Sequence, residues 1–222
     1  MLLTDMLAIE LARAELARPA LSITKQYLAV HTLVQEGGEP QVAAVVHVKD
    51  RVDVYFRVVD ESYFLVVPIH PEGQGWAVGL CRAEARSSVT LAIRSQTMTA
   101  PEITEAVGLT PTQSWSKGDV RQLRPKQRDI GPYTFTGWFL CPDGDAPGEF
   151  ETKLGRLLDR TESAAPRIRG LTDRCDVTLM VLYDGYSGQM WGLAFEPEDV
   201  VRLAALGASI DVDLYASGPD LP

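Results

Sequence analysis

The start of the chain predicts two helices. Over residues 2–17, apolar side chains recur at spacings of three and four, which places them on one side of a helix: Leu3, Met6, Leu7, Leu11 and Ala14. Residues 21–34 have a spacing that suits a second helix, while their β-branched content also suits a strand. We favour the helix, and we expect Gly37 and Gly38 to end it.

A run of alternating segments follows. Residues 41–48, 51–59 and 63–69 predict an antiparallel meander, and residues 76–80 supply a fourth strand. In the second of these segments, Val52, Val54 and Phe56 alternate with Asp53 and Tyr55. We therefore expect one face of this sheet to meet the core, under the helices, and the other face to meet water.

The second half predicts the order β-α-β-α-β-β-α-β. Its predicted strands are residues 89–93, 133–141, 176–183, 190–195 and 209–215, and its predicted helices are residues 99–108, 149–161 and 197–206. The first helix has capping-box spacing at Thr99 and Glu102, and the last has Gly207 at its end. A long polar loop covers residues 110–130.

These patterns predict an α+β protein of two small domains, residues 1–86 and 87–222. In each, helices pack on one face of an antiparallel or mixed sheet. The polar residues 82–88 are the predicted joint between the domains. Spacing identifies the elements but does not determine the order of the strands within a sheet.

Composition limits the classes of function. The 222 residues include 30 acidic and 21 basic side chains, a net charge of −9. This charge disfavours a nucleic-acid or anionic-membrane surface and favours a protein partner, most readily a basic one. No apolar run is long enough to cross a bilayer. The three cysteines form no CxxC pair, which indicates a reducing, cytoplasmic setting and no zinc site. The oligomeric state cannot be inferred.

The usual catalytic arrangements are missing from the sequence. His31, His47 and His70 all lie in the first half, so the second half has no histidine to activate a serine or cysteine. His47 and His70 have no ligand partner at metal-binding spacing, and we expect them to be ordinary strand residues. Ser187 lies in a turn without the spacing of a nucleophile elbow. No glycine-rich phosphate-binding motif occurs. We expect no catalytic residue, metal site or cofactor.

Two groups of acidic residues resemble cation sites only partly. Asp143, Asp145 and Glu149 give a fragment of a calcium-binding loop that lacks the terminal glutamate at the required distance, so we interpret it as a turn before a helix. Asp211 and Asp213 point to one side of the last predicted strand. They could hold a metal or share a proton, but their alternation with apolar residues favours a solvated strand face.

The long polar loop concentrates positive charge. Residues 113–130 contain five basic side chains, Lys117, Arg121, Arg124, Lys126 and Arg128, against Asp119 and Asp129. With Trp115 beside them, the candidate ligand-binding residues are Trp115, Lys117, Asp119, Arg121, Arg124, Lys126 and Arg128. They could bind an anionic small molecule, a nucleotide or a nucleic acid. The interpretation that we favour is that Trp115 anchors the loop while the basic residues pair with acidic ones of the same protein.

Three segments of the second half carry a family resemblance: residues 108–119 (GLTPTQSWSKGD), 133–139 and 200–216 (VVRLAALGASIDVDLYA). They resemble the bacterial family called domain of unknown function 4279 over about residues 88–216. The resemblance implies an α+β fold, a bacterial cytosolic setting and no assigned catalytic residue. Because some relatives look like neighbours of toxin systems, it also suggests an immunity or antitoxin function. We expect a non-enzymatic interaction protein, immunity-like or regulatory, that binds a protein partner.

Overall fold

The computed structural model describes residues 3–121 and 131–222. Its helices are α1 Asp5–Ala17, α2 Ser22–Val30, α3 Ala100–Val107, α4 Phe150–Thr161, α5 Ala165–Arg169 and α6 Pro197–Leu206. Its strands are β1 Gln35–Glu36, β2 Glu39–Pro40, β3 Val42–Val48, β4 Arg51–Arg57, β5 Phe64–Glu72, β6 Gly75–Val78, β7 Arg82–Glu84, β8 Arg86–Ser95, β9 Gln113–Trp115, β10 Thr136–Leu140, β11 Asp176–Tyr186 and β12 Ser209–Ser217. The predicted α+β class is confirmed.

The first sheet is the predicted meander with one addition. Strands β3, β4, β5 and β6 pair antiparallel in that order, and β7 also pairs with β5. Helix α1 packs across one face because its small residues Ala8 and Ala12 allow close approach to the strands. The core beneath it is apolar: Val54, Phe56, Leu65, Val67 and Ile69 are buried there.

The opposite face of this sheet is not solvated, which corrects the prediction for β4. Both Asp53 and Tyr55 have no exposed surface. Tyr55 packs edge-on against Phe64, with ring centroids 5.9 Å apart, in a small second apolar cluster. The Asp53 carboxylate is buried because Arg51 and Arg82 both donate to it, at 3.0 and 2.8 Å. The alternation of apolar and polar residues predicted strand β4 correctly, but it did not predict the partners of Asp53 and Tyr55.

The second helix ends earlier than predicted. It stops at Val30, because His31 takes an extended backbone conformation and Leu33 forms a bridge with Val58 of the sheet. Gly37 and Gly38 instead form the turn between β1 and β2, with φ of 63° and 86°. A turn with two positive φ angles matches the twist of a tight hairpin and favours glycine at both positions.

The second sheet is mixed and has the order β12-β11-β8-β10-β9. All neighbours pair antiparallel except β11 and β12, which are parallel. Helix α6 connects these two strands in the chain. Helices α3, α4, α5 and α6 share one core with this sheet, which buries, among others, Leu91, Ile93, Ile103, Trp138, Leu154 and Leu179. The expectation of helices on one face of a mixed sheet is therefore confirmed.

Three of the predicted helix boundaries, the start of α3 and the ends of α3 and α6, depend on local capping interactions that the structure shows. Thr99 and Glu102 form the reciprocal capping box of α3, and Pro101 lies in the first turn. Gly108 and Gly207 end α3 and α6 with φ of 72° and 70°. Only glycine takes this left-handed conformation readily, which explains the two stops.

Other predictions in the second half were wrong. Residues 82–88 are not a polar joint, since they form β7 and the start of β8, separated only by Ala85. Residues 190–195 form no strand. Strand β11 has β8 on one side and β12 on the other, so it has no free edge for them. The short elements β9 and α5 were not predicted.

The two halves have separate cores and several direct contacts. The segment after β11 reaches the first sheet, where the Trp191 indole N–H donates to the Ala83 carbonyl at 3.0 Å. The Ala83 N–H in turn donates to the Gln189 side chain at 2.9 Å. Tyr186, at the end of β11, is buried in the first core. The division into separable domains stays a prediction.

Candidate functional site

Trp115 on β9 is half-buried, and its side chain makes several contacts with its neighbours. Its ring stacks on Tyr133 with centroids 4.5 Å apart and on Phe139 with centroids 4.9 Å apart. Its indole N–H donates to the Phe135 carbonyl at 3.1 Å. A Cβ on Gly137 would lie 2.6 Å from the Trp115 ring, so the glycine makes room for it. These contacts favour the interpretation of Trp115 as an anchor of the loop.

The other described candidates of the loop also contact their neighbours. Lys117 Nζ donates to the Gln96 side chain at 3.1 Å. Asp119 accepts the Ser116 N–H at 2.7 Å, and the Arg121 guanidinium lies 4.6 Å from the centre of the Tyr133 ring. Arg124, Lys126 and Arg128 lie outside the described residues. The loop as a ligand-binding site therefore stays a prediction.

The acids of the partial calcium pattern are each near an arginine. Asp143 pairs with Arg156 at 2.7 Å, and Glu149 pairs with Arg51 at 2.5 Å. Asp145 lies 3.9 Å from Arg86. Among the described residues, no three potential ligands come close enough to hold a metal ion. The turn before α4 is thus stabilised by separate ion pairs.

One face of the second sheet carries no helix of the core. Its side chains alternate with those of the core. Ala92 and Thr178 are buried there. The half-exposed or exposed side chains are Ser88, Thr90, Arg94, Phe139, Met180, Leu182, Asp211 and Asp213. We call this surface the open face. A groove of about 320 Å³ lies on it, between Phe139 and the two aspartates. Apolar side chains form the floor, and hydroxyl and carboxylate groups lie beside them.

Strand β12 forms one border of the open face. It has nine residues. Val212 is half-buried, and the other eight are exposed. One edge pairs along its whole length with β11, from Ser209 opposite Thr178 to Ser217 opposite Tyr186. The other edge has no partner strand among the described residues. Its outward backbone N–H and C=O groups are therefore available for hydrogen bonds with another chain.

The two sides of β12 differ in character. Asp211 and Asp213 lie on the open face, beside Met180 and Leu182 of β11. On the helix side, Ile210 and Leu214 are 48% and 58% exposed. Helix α6, which precedes β12 in the chain, carries two further exposed apolar side chains, Val200 and Val201. The edge thus combines an acidic row with an apolar row.

Part of this site could be predicted from the sequence. The alternation of residues 209–215 predicted the strand and a solvated position for Asp211 and Asp213, which the exposed carboxylates confirm. It gave no indication that β12 lies at a sheet edge, because the order of strands depends on contacts far apart in sequence. Val201 of α6 gave a weak signal, since it falls on the helix side opposite the buried Leu203 and Leu206.

One of the three comparisons with known proteins found a match. A family model described as "Domain of unknown function (DUF4279)" matches residues 84–217, which is more than half of the chain. Neither a curated protein nor a solved structure matches. Among the described residues, no helix combines the length and the apolar composition needed to cross a membrane.

Proposed function

We propose that this chain, which belongs to the DUF4279 family, functions by binding an extended segment of a protein partner along the free edge of β12. The observation that carries the proposal is the nine-residue edge strand, exposed on both faces and unpaired on its outer side among the described residues. Natural sheets usually shorten or cover such edges because they readily pair with other chains. Strand addition uses this kind of edge for recognition.

The side chains of β12 indicate the chemistry of the partner. A strand added beside β12 would place every second side chain next to Asp211 and Asp213, where lysine or arginine gives favourable cross-strand pairs. The alternate side chains would lie beside Ile210 and Leu214. The partner segment therefore alternates basic and apolar residues.

A second copy of the chain fits the edge less well. If two β12 strands paired antiparallel with full overlap, Asp213 would lie opposite its own copy. A shift of the register by two residues in one direction would place Asp211 opposite Asp213 twice. Like charges directly opposite destabilise a strand pair, and each chain has a net charge of −9. A different, basic protein is therefore the better occupant.

This binding role suits a non-enzymatic, immunity-like or regulatory protein of the bacterial cytoplasm. Such a protein would inhibit or control its partner by binding one segment of that partner. The free thiols of Cys81, Cys141 and Cys175 fit a reducing compartment. The alternative function, anion or nucleotide binding by the loop that follows Trp115, has less support, because the ring of Trp115 is covered by Tyr133 and Phe139.

The test uses a synthetic nine-residue peptide of alternating lysine and valine, labelled for fluorescence anisotropy. We expect saturable binding to the full chain that weakens with added salt, because partly exposed charge pairs are screened. The double variant Asp211→Asn, Asp213→Asn should weaken binding by about tenfold, which corresponds to about 0.7 kcal/mol for each lost charge pair.

A matched control separates the edge from net charge alone. The double variant Glu36→Gln, Glu105→Gln removes two exposed carboxylates elsewhere and changes the net charge equally. It should bind the peptide about as well as the original chain. A peptide of alternating glutamate and valine should bind far more weakly. Equal loss of affinity in both double variants would refute the assignment to β12.

A further inference from the structure

A cavity of about 350 Å³ lies where the two halves of the chain meet. Strand β7 contributes Arg82 and Glu84 to its lining, and the start of α4 contributes Glu149 and Glu151. Tyr183 of β11 and Trp191 add aromatic rings. The volume is at the small end of the range for ligand sites. This cavity is separate from the free edge of β12.

The charges around the cavity do not balance. Arg82 lies 2.8 Å from Asp53, 3.3 Å from Glu84 and 3.7 Å from Glu149. Arg51 lies 3.0 Å from Asp53 and 2.5 Å from Glu149. Among these ion pairs, three carboxylates share two guanidinium groups, an excess of one carboxylate. The buried Lys153 ammonium also acts on Glu84, but it donates to Ser87 and forms no ion pair with these carboxylates among the described residues. In a partly buried site such an excess favours binding of a proton or another cation.

Of the three carboxylates, Glu84 has the fewest partners, because within the described part of the chain it pairs with Arg82 only. This residue is 8% exposed, and its Oε2 accepts one hydrogen bond, from Arg82 Nε at 3.3 Å. Among the described residues, Oε1 accepts none. Burial, opposed in part by Arg82, raises the pKa of Glu84 to about 7. The other charged or titratable groups that act on it are Asp53, Tyr55, Glu149, Lys153 and Tyr183.

The remaining lining suits an organic group. The Trp191 ring is fixed by the hydrogen bond from its indole N–H to Ala83 and is 47% exposed. Phe150 also lines the cavity. Aromatic faces attract ammonium groups and pack against alkyl chains. The carboxylates do not converge as metal ligands do, since no three potential ligands cluster in the described part of the chain.

From these observations we infer that the cavity between the two halves binds a small organic ammonium ion. Glu84 and Glu151 supply the opposite charge, and Trp191 and Tyr183 contact the alkyl part. When the cation binds, it takes the place of the proton on Glu84. Affinity should therefore rise by about tenfold between about pH 6 and pH 8, because the ionised fraction of a group with a pKa of about 7 rises by that factor.

The test is isothermal titration calorimetry of the full chain with n-butylammonium chloride. The expected result is saturable binding that tightens by about tenfold between about pH 6 and pH 8. Butyrate and n-butanol, which have similar size but no positive charge, should give no saturable heat. If butyrate binds as well as n-butylammonium, or if the amine gives no saturable heat at about 20 mM, the inference is wrong.

Two variants locate the binding. Glu84→Gln should weaken n-butylammonium binding by at least about tenfold and remove its dependence on pH. Because Glu84 is buried, that variant is paired with Glu151→Gln at the rim, which should weaken binding several-fold in a chain that stays folded. Glu105→Gln, on the exposed side of α3, is the control and should have no effect. Unchanged affinity in a folded Glu84→Gln chain would overturn the inference.

The ammonium group could belong to a free amine or to a lysine side chain of a protein. N-acetyl-lysine amide carries the same ammonium group on a peptide unit. Tighter binding of this compound than of n-butylammonium would assign the cavity to a protein side chain. Tighter binding of n-butylammonium would assign it to a free amine. Either order supports an ammonium site, and binding of neither compound contradicts it.

Discussion

At the scale of single residues, burial of charge is the feature that the sequence did not reveal. Asp53 lies in an alternating strand and was expected to face water, yet it has no exposed surface. Lys153 is 2% exposed on α4, and its Nζ donates to the Ser87 carbonyl at 2.5 Å. Burial lowers the pKa of Lys153. Arg51 is two residues from Asp53, but Arg82 and the Ser87 partner of Lys153 lie far away in sequence, so local periodicity cannot identify them.

Glu84 should make stability depend on pH. Its pKa is raised from 4.5 to about 7 by burial, so the folded chain binds a proton that the unfolded chain releases. This contribution to the free energy of unfolding is fully present below about pH 4.5 and falls by about 3 kcal/mol as the pH rises through 7. Chemical denaturation at about pH 5 and pH 8 measures the difference. In Glu84→Gln the fall should be smaller by that amount, and an equal fall in both chains would contradict the assignment.

Trp115→Ala distinguishes an anchor from a binding platform. Because the ring is stacked between Tyr133 and Phe139, its loss should lower the free energy of unfolding by about 2 to 4 kcal/mol. Trp115→Phe, which keeps a ring there, should lose much less. Denaturant midpoints compare the three chains. A loss below about 0.5 kcal/mol in the alanine variant would instead indicate an exposed platform.

At the scale of elements, local signals determined where helices begin and end. The capping box at Thr99 and the glycines at positions 108 and 207 were identified correctly because their effects depend only on nearby backbone. Pairing between strands was harder. Residues 190–195 have the composition of a strand but form none, and both edges of β11, which precedes them in the chain, are already occupied. The free edge of β12 likewise follows from strand order and not from its own sequence.

At the scale of the whole molecule, Tyr186 connects the two halves, because it ends a strand of the second sheet and is buried in the first core. Its ring is 1% exposed and lies 5.0 Å from the His31 ring and 5.2 Å from the Tyr63 ring, both in the first half. The acidic–aromatic cavity also takes residues from both halves.

A fragment of residues 85–222 tests the separability of the domains. It keeps the whole of β8 and the complete second core, so we expect a single cooperative unfolding transition and dispersed amide resonances. It should be less stable than the full chain, because Tyr186 loses its neighbours from the first half. An aggregating or molten fragment would show that the halves form one folding unit.

The central claim, that a basic partner strand pairs with β12, is tested most directly by amide hydrogen exchange with and without the lysine–valine peptide. Amides of Ser209–Ser217 that point away from β11 should exchange readily in the free chain. With the peptide in excess, their exchange should slow by at least about tenfold, since each gains a backbone hydrogen bond. Unchanged exchange in β12, or protection confined to other elements, would contradict the account.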